Sequence, residues 1–178
     1  AGKVVFESST FDSNYISING DCCTNSGGAI FSQYSYDSLI VKNSRFRYNR
    51  IYKPAGDNNG GEAKAAAIFI RDGWDDVEIT NSLFEGNTAE SALQTYDTGS
   101  NNRQAWGGAI SIDIRRYSTN NSYSYPWQSI ITNNTFINNK ALGSGNSGGY
   151  GGAIVLEWAQ KSTLFNNIFW GNRGKNFG

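Results

Sequence analysis

Apolar and polar positions alternate along this chain in short stretches, as in Leu39-Ile40-Val41-Lys42 and Val77-Glu78-Ile79-Thr80, and no window carries a convincing helical period. Period-two alternation of β-branched residues predicts short strands with one buried face. Ile68-Phe69-Ile70, Ile110-Ser111-Ile112 and Ile154-Val155-Leu156 open further strands whose apolar column points inward.

Two sequence markers recur in strict alternation. The first reads Gly27-Gly28-Ala29-Ile30, Ala65-Ala66-Ala67-Ile68, Gly107-Gly108-Ala109-Ile110 and Gly151-Gly152-Ala153-Ile154. The second is a Phe-x-x-Asn motif at Phe11/Asn14, Phe46/Asn49, Phe84/Asn87, Phe136/Asn139 and Phe169/Asn172. Each of these Phe residues is preceded by an apolar residue (Phe6, Val41, Ile79, Ile131, Leu164) and then by a polar one (Ser8, Asn43, Asn81, Asn133, Asn166).

Strands that recur at one long period can close as a sandwich or coil as a solenoid. A sandwich has no reason to hold Phe and Asn at a fixed offset in every strand, whereas stacked coils place equivalent residues above one another at about 4.8 Å. The expected fold is therefore all-β: a right-handed single-stranded parallel β-helix of about five coils, one domain spanning 1–178, with long loops on one edge. Each marker then has a packing task. Paired glycines allow a tight turn, Ala fits where coils crowd, and the Phe column forms an aromatic core. The Asn columns form amide ladders, and Asn tolerates the left-handed corners.

Composition narrows the function. Lys plus Arg equals Asp plus Glu at 15 each, so no basic patch and no nucleic-acid partner is expected. Histidine is absent, which excludes a serine triad and a histidine-ligated metal site. Zinc would need more sulfur ligands than the adjacent Cys22 and Cys23 supply, so no metal and no cofactor is expected. The two cysteines leave three readings open: a vicinal disulfide, two free thiols, or intermolecular cross-links. Methionine is also absent. The chain reads as a processed product or an excised piece, with no run long enough for a membrane span.

Turn-rich inserts run from Pro54 to Glu62, Thr95 to Gln104 and Gly143 to Tyr150, with a fourth from Arg115 to Tyr125. Inserts at equivalent places in a solenoid gather on one edge, commonly the binding face. Tyr52, Tyr96, Trp106 and Tyr150 flank the first three, and such aromatics suit sugar rings or a protein partner. Two sequons begin at Asn120 and Asn133. Asn120 is expected to be accessible, whereas Asn133 is assigned to an inward column where a glycan would clash. One outward column carries charge: Gln33, Arg71, Asp113 and Glu157. In register, Asp113 and Glu157 would lie roughly 5 Å apart, the separation a retaining glycosidase uses. The alternative for Arg71 is a simple pair with Asp113 on a solvated face.

The alternating markers resemble the repeats of polymorphic outer membrane protein passengers, and Ile168-Phe169-Trp170-Gly171-Asn172 looks like a closing coil of β-helix repeat proteins on bacterial surfaces. That resemblance implies secretion, a cell-surface or extracellular location, and an adhesive or structural role. It brings no catalytic residues. Neither end shows a capping helix, so the chain is expected either to continue into a longer helix or to associate end to end. The leading expectation is a non-enzymatic module that can bind a glycan or a host or cell-surface protein. The alternative is a polysaccharide lyase or glycoside hydrolase using Asp113, Glu157 and Arg71.

Overall fold

A computed structural model describes residues 3–17, 25–33, 38–54, 62–71, 76–92, 104–113, 128–144, 148–157 and 161–177. The first coil contains β1 (Val4–Glu7), β2 (Thr10–Asp12), β3 (Tyr15–Ser17), β4 (Asn25–Ser26) and β5 (Ile30–Gln33). The second contains β6 (Leu39–Lys42), β7 (Arg45–Arg47), β8 (Arg50–Lys53), β9 (Ala63–Lys64) and β10 (Ile68–Arg71). The third contains β11 (Val77–Thr80), β12 (Leu83–Glu85), β13 (Thr88–Ser91), β14 (Ala105–Trp106) and β15 (Ile110–Asp113). The fourth contains β16 (Ser129–Thr132), β17 (Thr135–Ile137), β18 (Lys140–Ser144), β19 (Gly149–Tyr150) and β20 (Ile154–Glu157). The fifth adds β21 (Ser162–Phe165), β22 (Ile168–Trp170) and β23 (Arg173–Phe177).

Every strand pairs in parallel with its equivalent one coil away, giving sheets β1-β6-β11-β16-β21, β2-β7-β12-β17-β22, β3-β8-β13-β18-β23, β4-β9-β14-β19 and β5-β10-β15-β20. This is the right-handed parallel β-helix expected from the repeat. Register follows the markers: Phe46 faces Phe84, and Ile68 faces both Ile30 and Ile110. Successive rungs of the Phe-x-x-Asn column lie 35, 38, 52 and 33 residues apart, yet the register does not slip. In the third coil the extra length falls between β13 and β14 and between β15 and β16, at two neighbouring edges.

Two cores fill the coil. The larger is built from Val41, Ile79 and Ile131 of the first sheet, Phe46, Phe84 and Phe136 of the second, and Ile68, Ile70, Ile110 and Ile112 of the fifth. Its Phe rings lie nearly parallel at 4.6, 4.9, 4.8 and 4.9 Å from Phe11 to Phe169, within the range of favourable stacked pairs. The smaller core packs Ile51 with the small side chains of Ala63, Ala66, Ala89, Ala105 and Ala141.

The corners explain the polar columns. Two corners in each coil use a left-handed residue followed by an inward polar one. At the first corner Ser8, Asn43, Asn81, Asn133 and Asn166 all have φ between 51° and 57°. The next residue turns inward and accepts a backbone N–H from the coil before it: Ser44 from Ser9, Ser82 from Ser44, Asn134 from Ser82 and Asn167 from Asn134. Asn133 is therefore an exposed corner residue and Asn134, 1% exposed, is the inward one. This corrects the assignment of Asn133 to the inward column. The cause is local: an αL residue turns its own side chain out and hands the inward direction to its successor. Asn133 Oδ1 accepts a hydrogen bond from Asn166 Nδ2 at 2.6 Å, along the outer surface.

The second corner builds the Phe-x-x-Asn ladder. Asn14, Asn49, Asn87 and Asn139 each donate from Nδ2 to Oδ1 of the next Asn, at 2.8, 2.8, 2.9 and 2.8 Å, ending on Asn172. Each Nδ2 from Asn49 onward also donates to the carbonyl of the Phe one coil back, as Asn87 does to Phe46 at 3.0 Å. The turn of the glycine marker is left-handed as well: Gly27, Gly107 and Gly151 have φ of 66°, 58° and 56°, and Ala65 takes the same position at 53°.

Candidate functional site

The outward face where the fourth and fifth sheets adjoin carries the densest chemistry among the described residues. The fifth sheet sets Gln33, Arg71, Asp113 and Glu157 in one column, Arg71 opposite Asp113 and Asp113 opposite Glu157, as expected from the marker register. The surroundings differ from a solvated face. Asp113 is only 2% exposed, Glu157 is partly covered and Arg71 is half-buried.

Lys64 organises this face, and sequence reasoning overlooked it. It lies on the two-residue β9, one position before Ala65-Ala66-Ala67-Ile68, in a column that otherwise holds Ser26, Trp106 and Tyr150. Its side chain is 3% exposed, and Nζ lies 3.2 Å from Asp113 Oδ2, 3.4 Å from Glu62 Oε2 and 3.5 Å from Glu157 Oε2. Trp106 and Phe69 present their rings to the same nitrogen, at 5.2 and 5.9 Å from the centroids. One ammonium thus joins three carboxylates supplied by β15, by β20 and by the residue just before β9. It offsets the like-charge repulsion that carboxylates on adjacent rungs would otherwise feel. The signal that could have found it was a lone charged residue in an otherwise small or aromatic column beside a buried rung.

Beside this cluster Trp106 and Tyr150 stack at 4.5 Å with 24° between their planes, forming a two-ring shelf on which Tyr150 remains 43% exposed. Tyr52 lies on the third sheet, at the other side of the same edge, with the Arg50 guanidinium 4.9 Å from its ring centroid. Of the four aromatic candidates the fold therefore stacks Trp106 on Tyr150 and sets Tyr52 on a different sheet; Tyr96 lies outside the described residues. Cys22, Cys23 and Asn120 also lie outside them.

A shallow groove runs along the first corner, lined by the exposed amides of Asn43, Asn81 and Asn133 together with Arg45, Leu83 and Thr135. The last rung presents a contrasting surface: Leu164, Phe165, Ile168, Phe169 and Trp170 are 44%, 70%, 61%, 49% and 73% exposed. Among the described residues no helix is long and apolar enough to cross a membrane, and no group of His, Cys, Asp and Glu is arranged to hold a metal ion. Comparisons with known protein families, with curated proteins and with solved structures find no match to this chain.

Proposed function

We propose that this β-helix works outside the cell as a stiff, non-enzymatic structural or adhesive module, joined rung to rung into a longer helix or filament, with glycan or cell-surface protein contacts along its loop edge. The observation that carries this reading is how fully the recurring side chains are used in stacking. The Phe column, the Asn ladder and the glycine marker all serve rung-to-rung contact, which makes a rod resistant to bending. The exposed apolar rung at β21 and β22 supports joining, since a further coil would cover it and pair its strand edges. The Trp106–Tyr150 shelf supports contact with sugar rings. The repeat resemblance supports a surface location.

Electron microscopy and sedimentation of the purified protein across a wide dilution range test the reading. Filaments or dilution-resistant oligomers are the expected result. A monomer at every concentration that also retains no glycan on an array would refute it.

A second reading, an enzyme acting on polysaccharide, is favoured by one observation: Asp113 and Glu157 occupy adjacent rungs and share Lys64. A screen against acidic and neutral polysaccharides, repeated with Asp113→Asn, decides it. Cleavage lost in the variant would establish the enzyme in place of the structural module.

A further inference from the structure

The contact between Lys64 and Asp113 is unusual for an ion pair on the outside of a coil. Both side chains are 3% exposed, and the two residues belong to neighbouring coils, 49 positions apart in sequence. A dry ion pair carries a standing desolvation cost that an uncharged linkage of the same atoms would not. The nitrogen sits 3.2 Å from Oδ2, which is one bond from the carbon it would attack, with the ring centroids of Trp106 and Phe69 at 5.2 and 5.9 Å. A third group stands ready to move protons: Glu157 Oε2 is 3.5 Å from the same nitrogen, one rung from Asp113.

We propose that Lys64 and Asp113 condense into an intramolecular amide that staples the second coil to the third. The balance is complete without any co-reactant. A proton passes from the Lys64 ammonium to the Asp113 carboxylate, leaving an amine and a carboxylic acid. The Nζ lone pair attacks Cγ and the C–N bond forms. Glu157 accepts the surplus proton from nitrogen and returns it to the departing hydroxyl, and the C–O bond breaks with release of one water. Holding the partners in contact raises their effective concentration by orders of magnitude over a bimolecular amidation, which is how an unactivated carboxyl becomes reactive. Glu157 acts as the proton shuttle; Glu62, at 3.4 Å, helps hold the lysine in place.

Intact mass of the reduced, unfolded full chain tests the proposal directly. The expected mass is one water below that of the sequence, and digestion should yield a branched peptide joining the segments that contain Lys64 and Asp113. Asp113→Asn should be one ammonia lighter than its own sequence, because the amide then leaves as ammonia. Glu157→Gln should lower the cross-linked fraction while circular dichroism still reports the native β spectrum. A folded wild-type chain at full sequence mass would overturn the proposal, as would a water loss that maps to another segment or survives Lys64→Arg.

Discussion

Replacing Asn87 by Asp tests the amide ladder with almost no change of shape. Asn87 is fully buried and makes four side-chain hydrogen bonds: Oδ1 accepts from Asn49 N at 3.2 Å and Nδ2 at 2.8 Å, and Nδ2 donates to Phe46 O at 3.0 Å and Asn139 Oδ1 at 2.9 Å. An aspartate keeps the two accepted bonds and turns both donated ones into contacts between oxygens. Each buried group left without its partner costs about 1–3 kcal/mol, so the two donated bonds alone imply roughly 2–6 kcal/mol. A buried carboxylate with no cation in these contacts adds a further penalty that depends on pH. Its folded-state pKa would be raised above the unfolded value, so the charge penalty is absent in acid and grows as pH rises through the unfolded value near 3.9. Urea unfolding followed by circular dichroism at pH 7 and at pH 4 should therefore show Asn87→Asp least stable relative to wild type at pH 7. Asn14→Asp is the control: Asn14 is exposed and donates to a single amide, so its cost should stay below about 1 kcal/mol. Equal costs for the two variants, or no difference between the two pH values, would refute the view that the ladder depends on directional donation in a dry column.

Further predictions follow the same gradient from the buried rungs to the surface. Phe84→Ala, at the centre of the ring stack, should cost about 3–5 kcal/mol in denaturant unfolding, whereas Phe169→Ala, half exposed on the last rung, should cost markedly less. Ala65→Gly should raise stability by roughly 1 kcal/mol in the same assay, because Ala65 holds φ 53° where the other coils use glycine. Gly107→Ala should lose stability, since φ is 58° and the added methyl carbon would clash with the Ile110 carbonyl oxygen. Asp12→Asn, which breaks the exposed pair with Arg47, should change the melting temperature by little, as surface pairs contribute about 0–1 kcal/mol.

The coil was legible in the sequence because its markers encode stacking directly. Phe46, Phe84 and Phe136 recur at one offset and end as one ring stack, and the marker isoleucines set the register that puts Arg71, Asp113 and Glu157 in a column. The first-corner column was harder to read. Its inward positions hold Ser9, Ser44, Ser82, Asn134 and Asn167, a mixture whose common property is an acceptor oxygen, while Ser8 and the four asparagines beside it are exposed. The charged face was half legible. Asp113 and Glu157 were visible as neighbours, but Lys64 comes from another sheet, and only the turn over Ala65 to Ala67 brings its ammonium to them. Long-range placement of one flexible side chain leaves no periodic trace.

The ladder also gives the rod a direction. In its amide-to-amide bonds the Nδ2 of Asn14, Asn49, Asn87 and Asn139 each donates to the Oδ1 of the next coil, so these bonds all run the same way along the axis. One end of the column offers acceptors and the opposite end donors. A copy that added its rungs upside down would set donor against donor, so only head-to-tail addition continues the pattern. In the proposed filament such a contact would join two different surfaces without closing on itself, and growth would be polar and open-ended.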